Sequence, residues 1–127
     1  MKFKIENKVF GPFNPLIVAE ISANHNQSLH QTYKLISEAK RAGADAIKLQ
    51  TYTPDSITLN CDKKDFIINN KKSLWNKRKL YNLYEQGSLP YDWHSKIFEK
   101  AKKLGLIVFS TPFDVESVKF LENLKCP

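Results

Sequence analysis

The sequence predicts an α/β fold with a parallel sheet, and three observations carry that prediction. Three apolar runs each stop at a polar cluster: Leu16-Ile21 at Ser22-Asn26, Ala46-Leu49 at Gln50-Tyr52, and Leu106-Phe109 at Ser110-Asp114. Segments of helical period with capping signals stand between and after the runs. Parallel α/β folds gather their chemistry at the carboxyl ends of the strands, so three such ends describe one active-site rim. A closed barrel of eight such units takes about 250 residues. The chain has 127, room for three units and a hairpin.

Lys2-Ile5 and Lys8-Phe10 alternate around Glu6-Asn7, as a hairpin within residues 1–14 would, placed as a lid or plug and not as a barrel strand. Leu16-Ile17-Val18-Ala19 follows Pro15 without interruption, the signature of a strand buried on both faces. Ser28 can cap the next helix, with Gln31 at capping-box spacing; Leu29, Tyr33, Ile36 and Ala39 fall near helical period, and Gly43 stands where a left-handed residue ends it. Ala46-Leu49 is the second strand.

From Gln50 to Pro90 the connection far exceeds the usual two to six or so residues of a βα turn. Leu74, Trp75, Leu80, Tyr81, Leu83 and Tyr84 are too apolar for disorder, so an inserted helix is expected near 78–86, ended by Gly87. A second helix, from about Pro90 to Leu104, carries Trp93, Ile97, Ala101 and Leu104 on one face. Leu106-Phe109 is the third strand, and Asp114 caps a last helix whose Val115, Val118, Phe120 and Leu121 face inward. Right-handed crossovers set the three strands side by side in parallel.

Composition narrows the class. With 42% hydrophobic and 26% charged residues the chain is an ordinary globular one. Cys61 and Cys126 lie far apart and lack ligand spacing, so reduced thiols of a cytoplasmic protein are expected. Charges interrupt the N-terminus every second position, which excludes a secretory leader, and no run approaches a membrane span of about 18 apolar residues. A net charge of +7 and the cluster Lys63, Lys64, Lys71, Lys72, Lys77, Arg78 and Lys79 suggest nucleic acid at first. No nucleic-acid motif accompanies them, so a solvated loop or an anionic small molecule is the expected partner.

Two charges sit in apolar strands. Glu20, at the end of the first, is costly there unless paired, and would serve as a general acid/base or hydroxyl acceptor, or as a structural partner of Lys48. Lys48, between Ile47 and Leu49, suits a phosphate or carboxylate ligand, or a Schiff base. Gln50 and Thr51 add neutral donors and acceptors, and Asn24, His25 and Asn26 crown the first strand. Ser110-Thr111-Pro112-Phe113-Asp114 brings hydroxyls to a helix start, an anion site or a simple cap. His25, His30 and His94 show no paired spacing, so no complete metal site is expected in this chain.

Taken together, Ala19-Glu20-Ile21-Ser22-Ala23-Asn24-His25-Asn26, Ala42-Gly43-Ala44-Asp45-Ala46-Ile47-Lys48-Leu49-Gln50-Thr51-Tyr52 and Phe109-Ser110-Thr111-Pro112-Phe113-Asp114 resemble the sialic acid synthase family, from about Pro15 to the end. Thr51-Tyr52-Thr53-Pro54-Asp55, Leu74-Trp75, Leu80-Tyr81-Asn82-Leu83-Tyr84 and Trp93-His94 look most like its pseudaminic acid synthase branch. The resemblance implies condensation of phosphoenolpyruvate with the open-chain aldehyde of an N-acetylated amino sugar, giving a nine-carbon 2-keto acid and phosphate. It implies that Lys48 and Thr111 bind phosphoenolpyruvate, that Glu20 and Lys48 are catalytic, and that Asn24, Gln50, Thr51, Tyr52, Phe113 and Asp114 meet substrate.

The implied fold is a (β/α)8 TIM barrel followed by an antifreeze-like domain, in a homodimer. Residues 1–127 would be the hairpin and first three βα units, an incomplete barrel that is inactive alone and would need a complementary C-terminal polypeptide. The divalent metal of the family, Mn or Mg, would find its ligands outside these residues. A non-catalytic sugar-phosphate-binding module is the alternative expectation.

Overall fold

Alternating charge and apolarity at the N-terminus closes as an antiparallel hairpin, β1 (Phe3–Ile5) and β2 (Lys8–Phe10), with Phe3 opposite Phe10. The computed structural model describes all 127 residues. Glu6 turns the hairpin with a φ of 50°, the left-handed geometry that short hairpin loops demand. Phe10 is 2% exposed and packs on Ala46 and Ile107, which seats the hairpin against the sheet. Lys8 Nζ fastens it by donating to the Gly105 carbonyl at 2.8 Å.

Three parallel strands follow, β3 (Val18–Glu20), β4 (Ala46–Thr51) and β5 (Ile107–Pro112), side by side in that order. α1 (Leu29–Arg41) joins β3 to β4. Ser28 Oγ accepts from the Gln31 amide at 3.2 Å at its start, and Gly43 beyond its end has a φ of 91°. Between β4 and β5 come α2 (Pro54–Ile57), a 3₁₀ turn (Lys64–Phe66), α3 (Leu80–Gly87) and α4 (Tyr91–Lys103); α5 (Val115–Asn123) follows β5. No helix is long and apolar enough to cross a membrane.

The helices cover one face of the sheet. Ile47, Leu49 and Val108 meet Ile36 of α1, Ile97 and Ala101 of α4 and Leu121 of α5 in a cluster of 12 buried residues. Each fully buried Leu or Ile of this kind contributes about 2 kcal/mol by leaving water.

Three sequence expectations need correction. β3 is an edge strand with helices on one face alone, so Val18 and Ala19 are only half-buried, Glu20 is exposed, and the strand is not buried on both sides. β4 and β5 run past their apolar runs to Thr51 and Pro112, because the backbone ladder continues whatever the side chains. On α5 the inward stripe is Ser117 and Leu121 with Phe120 and Leu124 beside them, whereas Val115 and Val118 face out, 68% and 41% exposed.

Candidate functional site

Residues paired across a parallel sheet share a face, and successive residues alternate faces. The register therefore builds rows on the face that the helices leave open. Val18, Ala46 and Ile107 form the first, under Phe10; Glu20, Lys48 and Phe109 form the second; Gln50 and Thr111 form the third. Lys48 Nζ donates to Glu20 Oε1 at 2.7 Å. The sequence expected both charges to be buried, but their side chains are 28% and 57% exposed, because nothing covers this face beyond the hairpin. An exposed pair of this kind adds little stability, about 0–1 kcal/mol.

Above the third row lies a cleft of about 530 Å³, walled by Ser22 and Asn24 after β3, Gln50 and Tyr52 of β4, and Trp75 and Tyr84 of the insertion. Asn24 donates its amide to the Ile21 carbonyl at 3.0 Å, which leaves its side-chain oxygen free to accept. Tyr52 stacks edge-on against Phe113 and Tyr84, with centroids 5.4 and 6.3 Å away. Burial, with Tyr84 adding, pushes its phenol above the ordinary value, so Tyr52 stays a neutral hydroxyl at physiological pH. Another groove, of about 300 Å³, lies beside the hairpin among Lys2, Val9 and Phe13, remote from these groups.

The sequence missed the clamp that shapes the cleft. Ser22, Asn26 and Gln27 take φ values of 46, 51 and 51°, costly for residues with a Cβ, and the turn they make is held from the insertion. His25 Nε2 donates to the Gly87 carbonyl at 3.0 Å while its Nδ1 accepts from the Gln27 amide. Gln27 Nε2 donates to the carbonyls of Gln86 and Ser88 at 2.9 and 2.8 Å. Gly87 lies close to the cleft: a Cβ there would meet the Tyr52 hydroxyl at 2.8 Å and push the ring aside.

Thr51 points the other way. It is fully buried under α4, its Oγ 2.8 Å from His94 Nε2 and 2.6 Å from Ser110 Oγ, and His94 Nδ1 donates to the Pro90 carbonyl. With Nδ1 a donor, Nε2 accepts from Thr51, and Ser110 donates to Thr51 in turn. The structure therefore does not bring Thr51 to the cleft. Asp114 caps α5, accepting from the Ser117 amide at 2.6 Å, which holds its carboxyl below the usual range. Phe113 reaches the cleft through Tyr52, and Thr111 is exposed beside Gln50.

Burial lowers the pKa of both His25 and His94 below 6.5, against smaller opposing effects of their carbonyl partners. The unfolded chain then binds more protons below pH 6.5 than the folded one. Their contribution is fully present above pH 6.5 and is lost as pH falls from there through the lowered folded values. Urea unfolding between pH 7.5 and 5 should show stability falling with acid; a flat profile would contradict neutral buried imidazoles.

No three His, Cys, Asp or Glu side chains gather as metal ligands, and His25 and His94 have both ring nitrogens engaged. These residues do not fit the divalent metal that the resemblance implies.

Relatives match this chain along most of its length. Pseudaminic acid synthase from Campylobacter jejuni is 58% identical over 121 residues, which are 95% of this chain and 33% of that protein. The enzyme of the same name from Helicobacter pylori is 49% identical over 113 residues, 89% of this chain and 33% of its own length. N-acetylneuraminic acid synthetase from Leptospira borgpetersenii, solved in complex with citrate, superposes with a TM-score of 0.75 at 26% identity, over 98% of this chain and 38% of that one. The chain thus spans about a third of the length of the curated relatives it matches. Residues 35–127, which hold Lys48, Gln50 and Thr111, match the NeuB family, and the chain belongs to that family.

Proposed function

We propose that the chain carries the phosphoenolpyruvate and sugar face of a synthase that condenses phosphoenolpyruvate with an N-acetylated amino sugar to a nine-carbon 2-keto acid. Its sheet would be the first three βα units of a (β/α)8 barrel whose other walls come from sequence outside these 127 residues, in a homodimer. The likeness to pseudaminic acid synthases at 49% and 58% identity favours a diacetamido 6-deoxy sugar. The observation that carries the proposal is the set of rows: Glu20, Lys48, Gln50 and Thr111 share one open face beneath a cleft of about 530 Å³.

In the reaction, C3 of phosphoenolpyruvate attacks the aldehyde carbon and the aldehyde oxygen takes up a proton. Water then adds at C2, and cleavage of the C–O bond expels phosphate and leaves the ketone. Lys48 has three donors and, while one serves Glu20, others remain for the anionic donor substrate. Thr111, one row up, supplies a hydroxyl to the same anion. Gln50 and Asn24 offer amide groups to the hydroxyls and acetamido groups of the sugar, and Tyr52, Tyr84 and Trp75 pack against its apolar parts. Glu20 is placed to accept a proton or hydrogen bond at the reacting centre. A divalent metal, where the complete enzyme binds one, would polarise the aldehyde from ligands on the other walls.

The test is keto-acid formation from phosphoenolpyruvate, the diacetamido sugar and Mn2+, by this chain with and without the polypeptide that completes the length of its relatives. Product in the completed protein alone is expected. Turnover by the 127-residue chain alone would refute the need for the other walls, and no product in either mixture would favour a non-catalytic binder.

A further inference from the structure

We propose that a second groove, within the insertion between the loop around Asp62 and Lys77–Lys79 and α3, is a binding site for a phosphate dianion, separate from the cleft and coupled to it through Gln86. The groove has a volume of about 470 Å³ and no apolar side chain; Lys77, Arg78, Lys79, Asn82 and Gln86 line it with one acid, Asp62. That acid is already engaged, since Lys79 Nζ donates to Asp62 Oδ1 at 2.7 Å, and Lys79 is only 18% exposed. Lys77 and Arg78 have no carboxylate within ion-pair distance. Arg78 Nη1 instead donates to the neutral Gln86 Oε1 at 3.1 Å, leaving the rest of its guanidinium fork unused. Two uncompensated cations in one groove match the charge of a dianion, and the fork matches phosphate oxygens.

Backbone bonds fix the loop that carries the cations. The Lys77 amide donates to the Ile68 carbonyl at 2.7 Å and the Ile68 amide to the Arg78 carbonyl at 2.9 Å, which closes the loop between them. Asn76 Oδ1 braces it by accepting from the Asn70 amide, and Ile67 pairs with Lys79. Lys77 has a φ of 65°, a conformation this bonding must sustain. A loop ordered in advance leaves only side-chain freedom, chiefly that of Lys77, to be lost on binding.

Gln86 belongs to both sites. It lines the cleft as well as the groove, and its carbonyl accepts from Gln27 in the clamp. The Arg78 amide also donates to the carbonyl of Trp75, another cleft residue, at 2.9 Å. An anion that draws Arg78 away releases the Gln86 amide at the cleft wall. The inference stands on the groove itself and does not depend on the chemistry assigned to the cleft.

Titration of the protein with inorganic phosphate at constant ionic strength, followed by calorimetry and tryptophan emission, tests it. Saturable binding is expected, with a change in emission as Trp75 responds. Arg78→Gln and Lys77→Gln should each weaken it about tenfold, the loss of one charge-assisted contact, with unchanged Tm. Lys34→Gln on α1 removes the same charge elsewhere and should leave binding intact. Should Arg78→Gln fail to fold, Lys77→Gln alone decides. No saturable binding, or an equal loss in Lys34→Gln, would overturn the site in favour of diffuse attraction to the net charge of +7.

Discussion

Lys48→Met in the completed synthase should lower kcat/KM for phosphoenolpyruvate by about 10²-fold and leave Tm nearly unchanged. Methionine keeps most of the apolar stem that shares a row with Glu20 and Phe109 and removes only the ammonium. The pair with Glu20 is partly exposed and worth little to the fold. Contact with a substrate anion in a closed site is worth far more: truncating one member of a buried charge pair costs about 2–5 kcal/mol, and each 1.36 or so of that is a factor of ten. Steady-state kinetics and a melting curve separate the two roles. A large fall in Tm with unchanged kinetics would make Lys48 a structural residue.

Thr51→Val carries the opposite expectation: a loss of about 2–4 kcal/mol in stability with little change in the KM of either substrate. Valine matches threonine in shape, so no cavity opens. What disappears is the hydroxyl that donates to His94 and accepts from Ser110 at 0% exposure, and each buried polar atom left without a partner costs about 1–3 kcal/mol. For a chain of this size Tm should drop by about 10 °C. Urea unfolding and the kinetics of the completed protein check it. A Thr51→Val protein of native stability but raised KM would return Thr51 to the substrate site, where sequence reasoning had put it.

That misplacement shows where local reading stops. Gln50 and Thr51 are adjacent and equally polar, and nothing in their identity says which faces a ligand. The period of two settles that they face opposite sides, and the helices settle which side is covered: α4 brings His94 onto Thr51, and the open side keeps Gln50 with Lys48. Val115 and Val118 were misread for the same reason, since an apolar residue at helical spacing reports a stripe but not whether that stripe meets the sheet. The clamp was illegible for a different reason. His25 and Gly87 stand 62 residues apart, and their bond exists only because the insertion folds back over the end of β3. Gln27 and Gln86 carry no motif, and they became site residues by position alone.

By itself the sequence determined the hairpin, the parallel strand order and the cap at Ser28, and it left the pairing of Glu20 with Lys48 as one reading among others. These follow from hydrophobic period, turn and cap chemistry and strand register, which act over a few residues or one crossover. The tertiary structure alone decided how exposed that ion pair is, that Thr51 turns from the cleft and Asp114 serves a cap, and that the insertion walls the site through His25 and Gln27. Those features depend on which face each element covers and on hydrogen bonds between distant segments, energies that no local pattern encodes.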